Sequence, residues 1–171
     1  MAIRNKQQAT VAIEGGLVAG LVGGLVLTIY MLIGAVVQTH DVWATLKGAA
    51  APILGTRAFQ PGFDAAALLV GLVCHFLVAA VWGGLFGVLF YGISRNATLW
   101  SGVLWGIVTW IGMYYIVLPL VGMGDVAMSV PIAPAIVSHM IFGIAVALGF
   151  LPYQRHEPRL RRPKVGPPLA H

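Results

Sequence analysis

Two histidines, His75 and His139, lie deep inside long apolar runs, and they are the residues of this sequence best placed to do chemistry. An ionisable side chain among lipid-soluble neighbours is costly, so its default reading is functional. Two neutral imidazoles can act as axial ligands of a b-type haem. Gly71, Ala79, Ala135 and Gly143 would then make room for the flat macrocycle, and Lys47 and Arg57 could meet its propionates. The same pair can bind Zn, Cu or Fe, although two ligands leave a metal site open and no carboxylate lies nearby. It can also relay protons or sense pH. The plainer alternative is that each histidine hydrogen-bonds a tyrosine, Ser138 or a backbone carbonyl and holds helices together. Thr28, Tyr30, Tyr114, Tyr115 and Ser138 fall at comparable depth and extend the pair into a polar band.

Other chemistry finds no footing. The sequence has no phosphate-cradling loop, no paired carboxylates and no nucleophile elbow. Ser138 precedes His139, but adjacent helical residues point about 100° apart, so they do not form a nucleophile–base pair. No Asp, Glu, Lys or Arg lies deep in an apolar run, which counts against ion transport. A lone cysteine, Cys74, excludes an intrachain disulfide and reads as a small apolar residue.

The elements that carry these residues follow from composition. The chain has 171 residues, 59% hydrophobic and 9% charged, where a soluble domain carries about 25% charge. Too few charges remain to cover a surface facing water. Four runs reach the roughly 20 apolar residues of a membrane-spanning helix, at about 15–37, 65–90, 99–121 and 131–151. They are continuous rather than alternating, so spanning strands are not expected. The first run is too long for a signal-peptide core and reads as a spanning helix. The expected fold is an all-α four-helix bundle over residues 1–152, followed by a basic, Pro-rich tail over 153–171.

Basic residues orient the chain. With the N-terminus inside, the inner segments hold Arg4, Lys6, Arg95, Arg155, Arg159, Arg161, Arg162 and Lys164, against Lys47 and Arg57 outside. Both ends are therefore expected on the cytoplasmic side. The outer connection, 39–64, is expected to carry a short interfacial helix on Val42, Trp43 and Leu46, closed by Pro52 and Gly55. Asp64 and Thr98 suit helix N-caps, and Pro131 suits a first turn. Glu14 reads as a charge near the first helix's N-terminal dipole. The tail's cations can meet anionic lipid, and nothing points to nucleic acid.

Small residues recur at spacings of four, which places them on one helix face. The rows are Gly16, Gly20 and Gly24; Gly71, His75, Ala79, Gly83 and Gly87; Gly102 and Gly106; and Ala135, His139, Gly143 and Ala147. The Gly16–Gly20 pair recurs 86 residues on as Gly102–Gly106, and His75 recurs 64 residues on as His139. The pattern suggests two tandem hairpins about a pseudo-two-fold axis. Both histidines would then lie roughly 12–15 Å below the outer edge and face each other.

Cys74-His75-Phe76, then Trp82-Gly83-Gly84-Leu85-Phe86, then His139-Met140-Ile141-Phe142-Gly143 resemble a family of small four-helix bacterial inner-membrane proteins known as a domain of unknown function. The resemblance spans roughly residues 12–152. It implies the four-helix fold and maps the family's two histidines onto His75 and His139. It implies no activity. The leading expectation is a non-enzymatic inner-membrane protein, oligomeric or accessory to a larger complex. The alternatives are a haem b electron-transfer subunit ligated by His75 and His139, and a proton- or metal-responsive protein.

Overall fold

The computed structural model describes residues 6–38 and 41–154. Helix α1 (Lys6–Gln38) leads into a folded connection holding α2 (Ala44–Gly48), α3 (Ala51–Leu54) and a 3₁₀ turn (Gly55–Phe59). Next come α4 (Ala65–Phe90) and α5 (Arg95–Gly112), the latter continued by a π turn (Met113–Val117) into α6 (Leu118–Leu120). Then α7 (Gly124–Ser129) precedes α8 (Ile132–Phe150) and a closing 3₁₀ turn (Leu151–Tyr153). The described residues contain no strand. Four helical stretches are long and apolar enough to cross a membrane: Lys6–Val37, Ala65–Phe90, Arg95–Leu120 and Ile132–Tyr153. Leu25, Ile33, Leu69, Leu77, Leu104 and Ile116 are each more than half exposed. An apolar skin of this kind suits a multi-pass membrane protein, for which lipid is the solvent.

The absent side chains of glycine hold this bundle together. A Cβ on Gly83 of α4 would strike the backbone of Gly16 and Gly20 on α1, and one on Gly87 would strike Ala12 and Gly16. A Cβ on Gly143 of α8 would strike the backbone of Gly102 and Gly106 on α5. A second small-residue face of α1, Gly15, Ala19 and Gly23, receives Tyr153, Gly149, Val146 and Phe142 of the α8 segment. Helix α1 is thus clasped between α4 and α8. Close backbone approach gains dispersion contacts where lipid removes the hydrophobic drive for association. Helices α4 and α5 instead meet through rings: Trp82, Phe86 and Phe90 all pack edge-on against Trp105.

Several expected boundaries move. Helix α1 starts at Lys6 rather than near Gly15, so exposed Glu14 sits in the third turn, past the reach of the dipole. Helix α5 starts at Arg95, and its N-cap is Ser94, whose Oγ accepts the Ala97 N–H at 3.3 Å. Thr98 is fully buried instead, its hydroxyl donating to the Ser94 carbonyl at 3.0 Å. Arg95, Asn96 and Thr98 make the first turn polar, so the apolar pattern alone begins too late. Pro131 is the N-cap of α8 rather than part of its first turn. Asp64 does cap α4, accepting from Ala66 and Ala67 at 3.0 and 3.1 Å.

The π turn follows from Pro119. Proline lacks an N–H and its ring clashes with the carbonyl four residues back, here Tyr115. The chain widens by one residue instead, and Leu118 N–H bonds back to the Met113 carbonyl.

The end bearing the α4–α5 turn is held by Gln154. Its amide donates to the Phe90 carbonyl and Thr98 Oγ1, both at 2.8 Å, and its carbonyl accepts Gly92 N–H at 2.8 Å. Gly92 has φ +84°, which glycine adopts without strain. Arg4 and the basic residues from Arg155 onward, read as orientation signals and lipid contacts, lie outside the described residues.

Candidate functional site

The polar band divides into two separate clusters. On α4, His75 points at α1. Its Nε2 lies 3.0 Å from the Gly24 carbonyl and 3.1 Å from Thr28 Oγ1, while Thr28 Oγ1 donates to the same carbonyl at 2.9 Å. A carbonyl only accepts, so Nε2 carries the proton in this arrangement. Gly24 makes the approach possible, since a Cβ there would crowd Ala79 and Phe76. The ring is completed by Phe76, edge-on at 5.3 Å.

On α8, His139 faces the π turn of α5. Its Nδ1 lies 2.8 Å from the Ala135 carbonyl, one turn back on its own helix. By the same argument Nδ1 carries the proton and Nε2 keeps the lone pair. Ser138 Oγ donates to the same carbonyl at 2.8 Å and lies 3.3 Å from Nδ1. Tyr114 stands edge-on to the imidazole, with centroids 5.7 Å apart and planes at 80°. Thus Thr28 joins His75, and Tyr114 and Ser138 join His139. Among the described residues no hydrogen bond or ring contact ties Tyr30 to either cluster, and Tyr115 is exposed and packs on Trp110 at 5.8 Å.

No described contact links the two histidines; His75 faces α1, and His139 faces the π turn that continues α5. Their heights relative to the glycine crossings also differ. His75 is eight residues before Gly83, and His139 is four before Gly143, so the contact register and the sequence repeat disagree by one turn. Among the described residues, no three His, Cys, Asp or Glu side chains come together as a metal site.

The connection after α1 forms a cap with a polar centre that sequence reasoning missed. Lys47 is 1% exposed. Its ammonium donates to the Gln60 carbonyl at 2.6 Å and to the Gly62 carbonyl, and lies 3.6 Å from Asp41. Asp41 also accepts the Trp43 and Gly62 N–H groups, each at 3.0 Å. The Trp43 backbone bond, with help from Gly62 and Lys47, holds the Asp41 carboxyl below the usual aspartate range. Arg57 grips Asp64 at 2.8 and 3.1 Å, raising its own pKa and drawing the Asp64 carboxyl down to about 2. Both cations considered for haem propionates are therefore engaged within the cap. Two bases, Lys47 and Arg57, flanked by two acids, Asp41 and Asp64, in one connection were the available signal for these pairs.

Gly71 also has a different partner from the one expected of a helix-packing row. A Cβ there would strike the carbonyl of Leu46, so it seats the cap helix α2 rather than another long helix. Ala50, Ala51 and Ala58 form a small core of the cap, packed by Leu54, Val70 and Met123. Two indole N–H groups, on Trp105 and Trp110, are buried without a hydrogen-bond partner.

No curated protein and no solved structure matches this chain. The family of unknown function DUF6789 matches residues 10–160, and the chain belongs to that family.

Proposed function

We propose that the chain is a non-enzymatic subunit of the bacterial inner membrane, accessory to a larger complex or associating with a second copy of itself. The observation that carries this reading is the His75 bond to the Gly24 carbonyl across α1 and α4. An axial haem ligand offers a nitrogen lone pair, whereas this Nε2 is a donor engaged in holding two helices. The glycine rows are occupied within the chain. Association with a partner therefore uses the outward faces, such as that of α5 bearing Trp100 and Leu104.

Both ends belong on the cytoplasmic side in this reading. Lys6 and Arg95 share the end that Gln154 closes, and the sequence adds Arg4 and the five tail cations beyond it. The opposite end has only Lys47 and Arg57, each paired with an aspartate. The tail is suited to anionic lipid. The two hairpins are taken as tandem units about a pseudo-two-fold axis, supported by the recurring glycine crossings.

The test is native electrophoresis of tagged protein extracted from its own membrane in mild detergent. A stoichiometric partner, or a mass of two or more chains, is the expected result. A lone monomer with nothing co-purifying would overturn the accessory role.

A further inference from the structure

The cap shows its surroundings large apolar rings, but not on the side expected. Val42, Trp43 and Leu46 were expected to form its lipid-facing side, yet Leu46 is buried and its carbonyl lies against Gly71 of α4. The exposed rings belong to the segment 58–63. Phe59 and Phe63 are 49% and 66% exposed, and Phe63 stands edge-on to Trp43 with centroids 5.5 Å apart. The Arg57–Asp64 ion pair clamps the two ends of this loop together. Its one polar side chain, Gln60, is neutral.

The backbone of the loop's tip is paired from within the protein. Gln60 N–H donates to the Arg57 carbonyl at 3.2 Å, and Gly62 N–H donates to Asp41 at 3.0 Å. The Gln60 and Gly62 carbonyls both accept from the buried Lys47 ammonium. Pro61, between them, has no N–H to satisfy. A loop standing in water can leave such groups to the solvent. A loop entering lipid cannot, because there an unpaired backbone group costs several kcal/mol.

Charge, depth and continuity agree with immersion. The charged residues of 41–64 are Asp41, Lys47, Arg57 and Asp64, which sum to zero and form two pairs. Helix α4 has 26 residues, so it is about 39 Å long at 1.5 Å per residue. A bilayer measures roughly 40–45 Å with its headgroups. With Phe90 in one headgroup layer, Asp64 falls in the other. From Phe63 the exposed residues run through Ala65 and Ala66 to Leu69, Val73 and Leu77, the apolar skin of α4.

We propose that the clamped loop 58–63 is a membrane-insertion element. It sinks Phe59 and Phe63 into the headgroup–acyl boundary of the bilayer that the chain spans, and it binds the apolar layer rather than anionic headgroups. The inference rests on the membrane-spanning reading and not on the accessory role, so a lone monomer on the native gel leaves it untouched.

The experiment is spin labelling of Phe59→Cys and, separately, Phe63→Cys in a Cys74→Ala background, with the full chain in phosphatidylcholine nanodiscs. Collisions with oxygen, which dissolves in lipid, are compared with those of a water-soluble nickel chelate. The oxygen-to-nickel ratio at both positions should lie well above that of free label in buffer and approach that of Leu77→Cys on the lipid-facing side of α4. Adding phosphatidylglycerol should leave it unchanged. Either site suffices if the other variant fails to fold. A ratio equal to that of free label would overturn the proposal, as would insertion only with phosphatidylglycerol. Labels reached by neither reagent would also overturn it, and would point to a second copy covering the loop.

Discussion

His75 and His139 share a residue type and a position inside apolar helices, yet their rings carry the proton on different nitrogens. The cause lies in the carbonyl each one reaches: Gly24 on a neighbouring helix for His75, Ala135 on its own helix for His139. Replacing His75 by alanine removes an interhelical bond, so His75→Ala should lower bundle stability by about 1 kcal/mol. Thermal unfolding in detergent would show it, and a cycle with Thr28→Val should reveal coupling. The cap responds to acid through Asp64. Its folded pKa of about 2 lies below the ordinary 3.8. The stabilisation is therefore present above about pH 3.8 and lost as pH falls through about 2. Amide exchange at Ala66 and Ala67, relative to intrinsic rates, should stay slow at neutral pH and accelerate over that interval. In Asp64→Asn it should be fast throughout. The histidines were legible in the sequence because charge-capable residues are rare in apolar runs. The kind of partner was legible too, a backbone carbonyl being among those expected; which carbonyl was not, because it leaves no trace in residue identity.

Helices and turns were legible to different degrees. Apolar length marked all four spans, and small residues at spacings of four marked the faces where backbones meet. The Gly15, Ala19 and Gly23 face of α1 escaped notice because it overlaps the Gly16, Gly20 and Gly24 row by one position. The π turn escaped because Pro119 was not weighed against the carbonyl four residues before it. Ser94 lost the cap to Thr98 because the apolar pattern, rather than the capping chemistry, set the start of α5. Two glycine substitutions separate the bundle from its cap. Gly20→Leu drives a side chain into the Ala79 backbone and should cost about 3 kcal/mol, read as a large fall in unfolding temperature. Gly71→Leu strikes the Leu46 carbonyl of α2 and comes up against the backbone nitrogen of Ala50, just before α3. It should lift α2, leave the bundle helical and expose Lys47, so that trypsin cuts after Lys47 in the variant and not in the wild type. Mass spectrometry of the fragments checks this.

At the scale of the whole molecule, the described residues form four long apolar helical stretches, closed at one end by Gln154 and at the other by a cap centred on Lys47. Orientation in the membrane is tested with cysteine substitutions in a Cys74→Ala background. A membrane-impermeant maleimide applied to spheroplasts should label Thr56→Cys in the cap and spare Asn96→Cys near the α4–α5 turn. The reverse pattern would invert the proposed topology. The central claim is that His75 holds helices together and does not ligate a cofactor. The most direct test is the oxidised and dithionite-reduced absorption spectrum of protein purified in mild detergent from cells well supplied with haem, with His75→Ala and His139→Ala alongside. The account predicts no Soret band and no sharp α and β bands on reduction in any of the three, with His75→Ala less stable. A Soret band with sharp reduced bands in the wild type, lost in both variants, would contradict it and make the chain a membrane cytochrome.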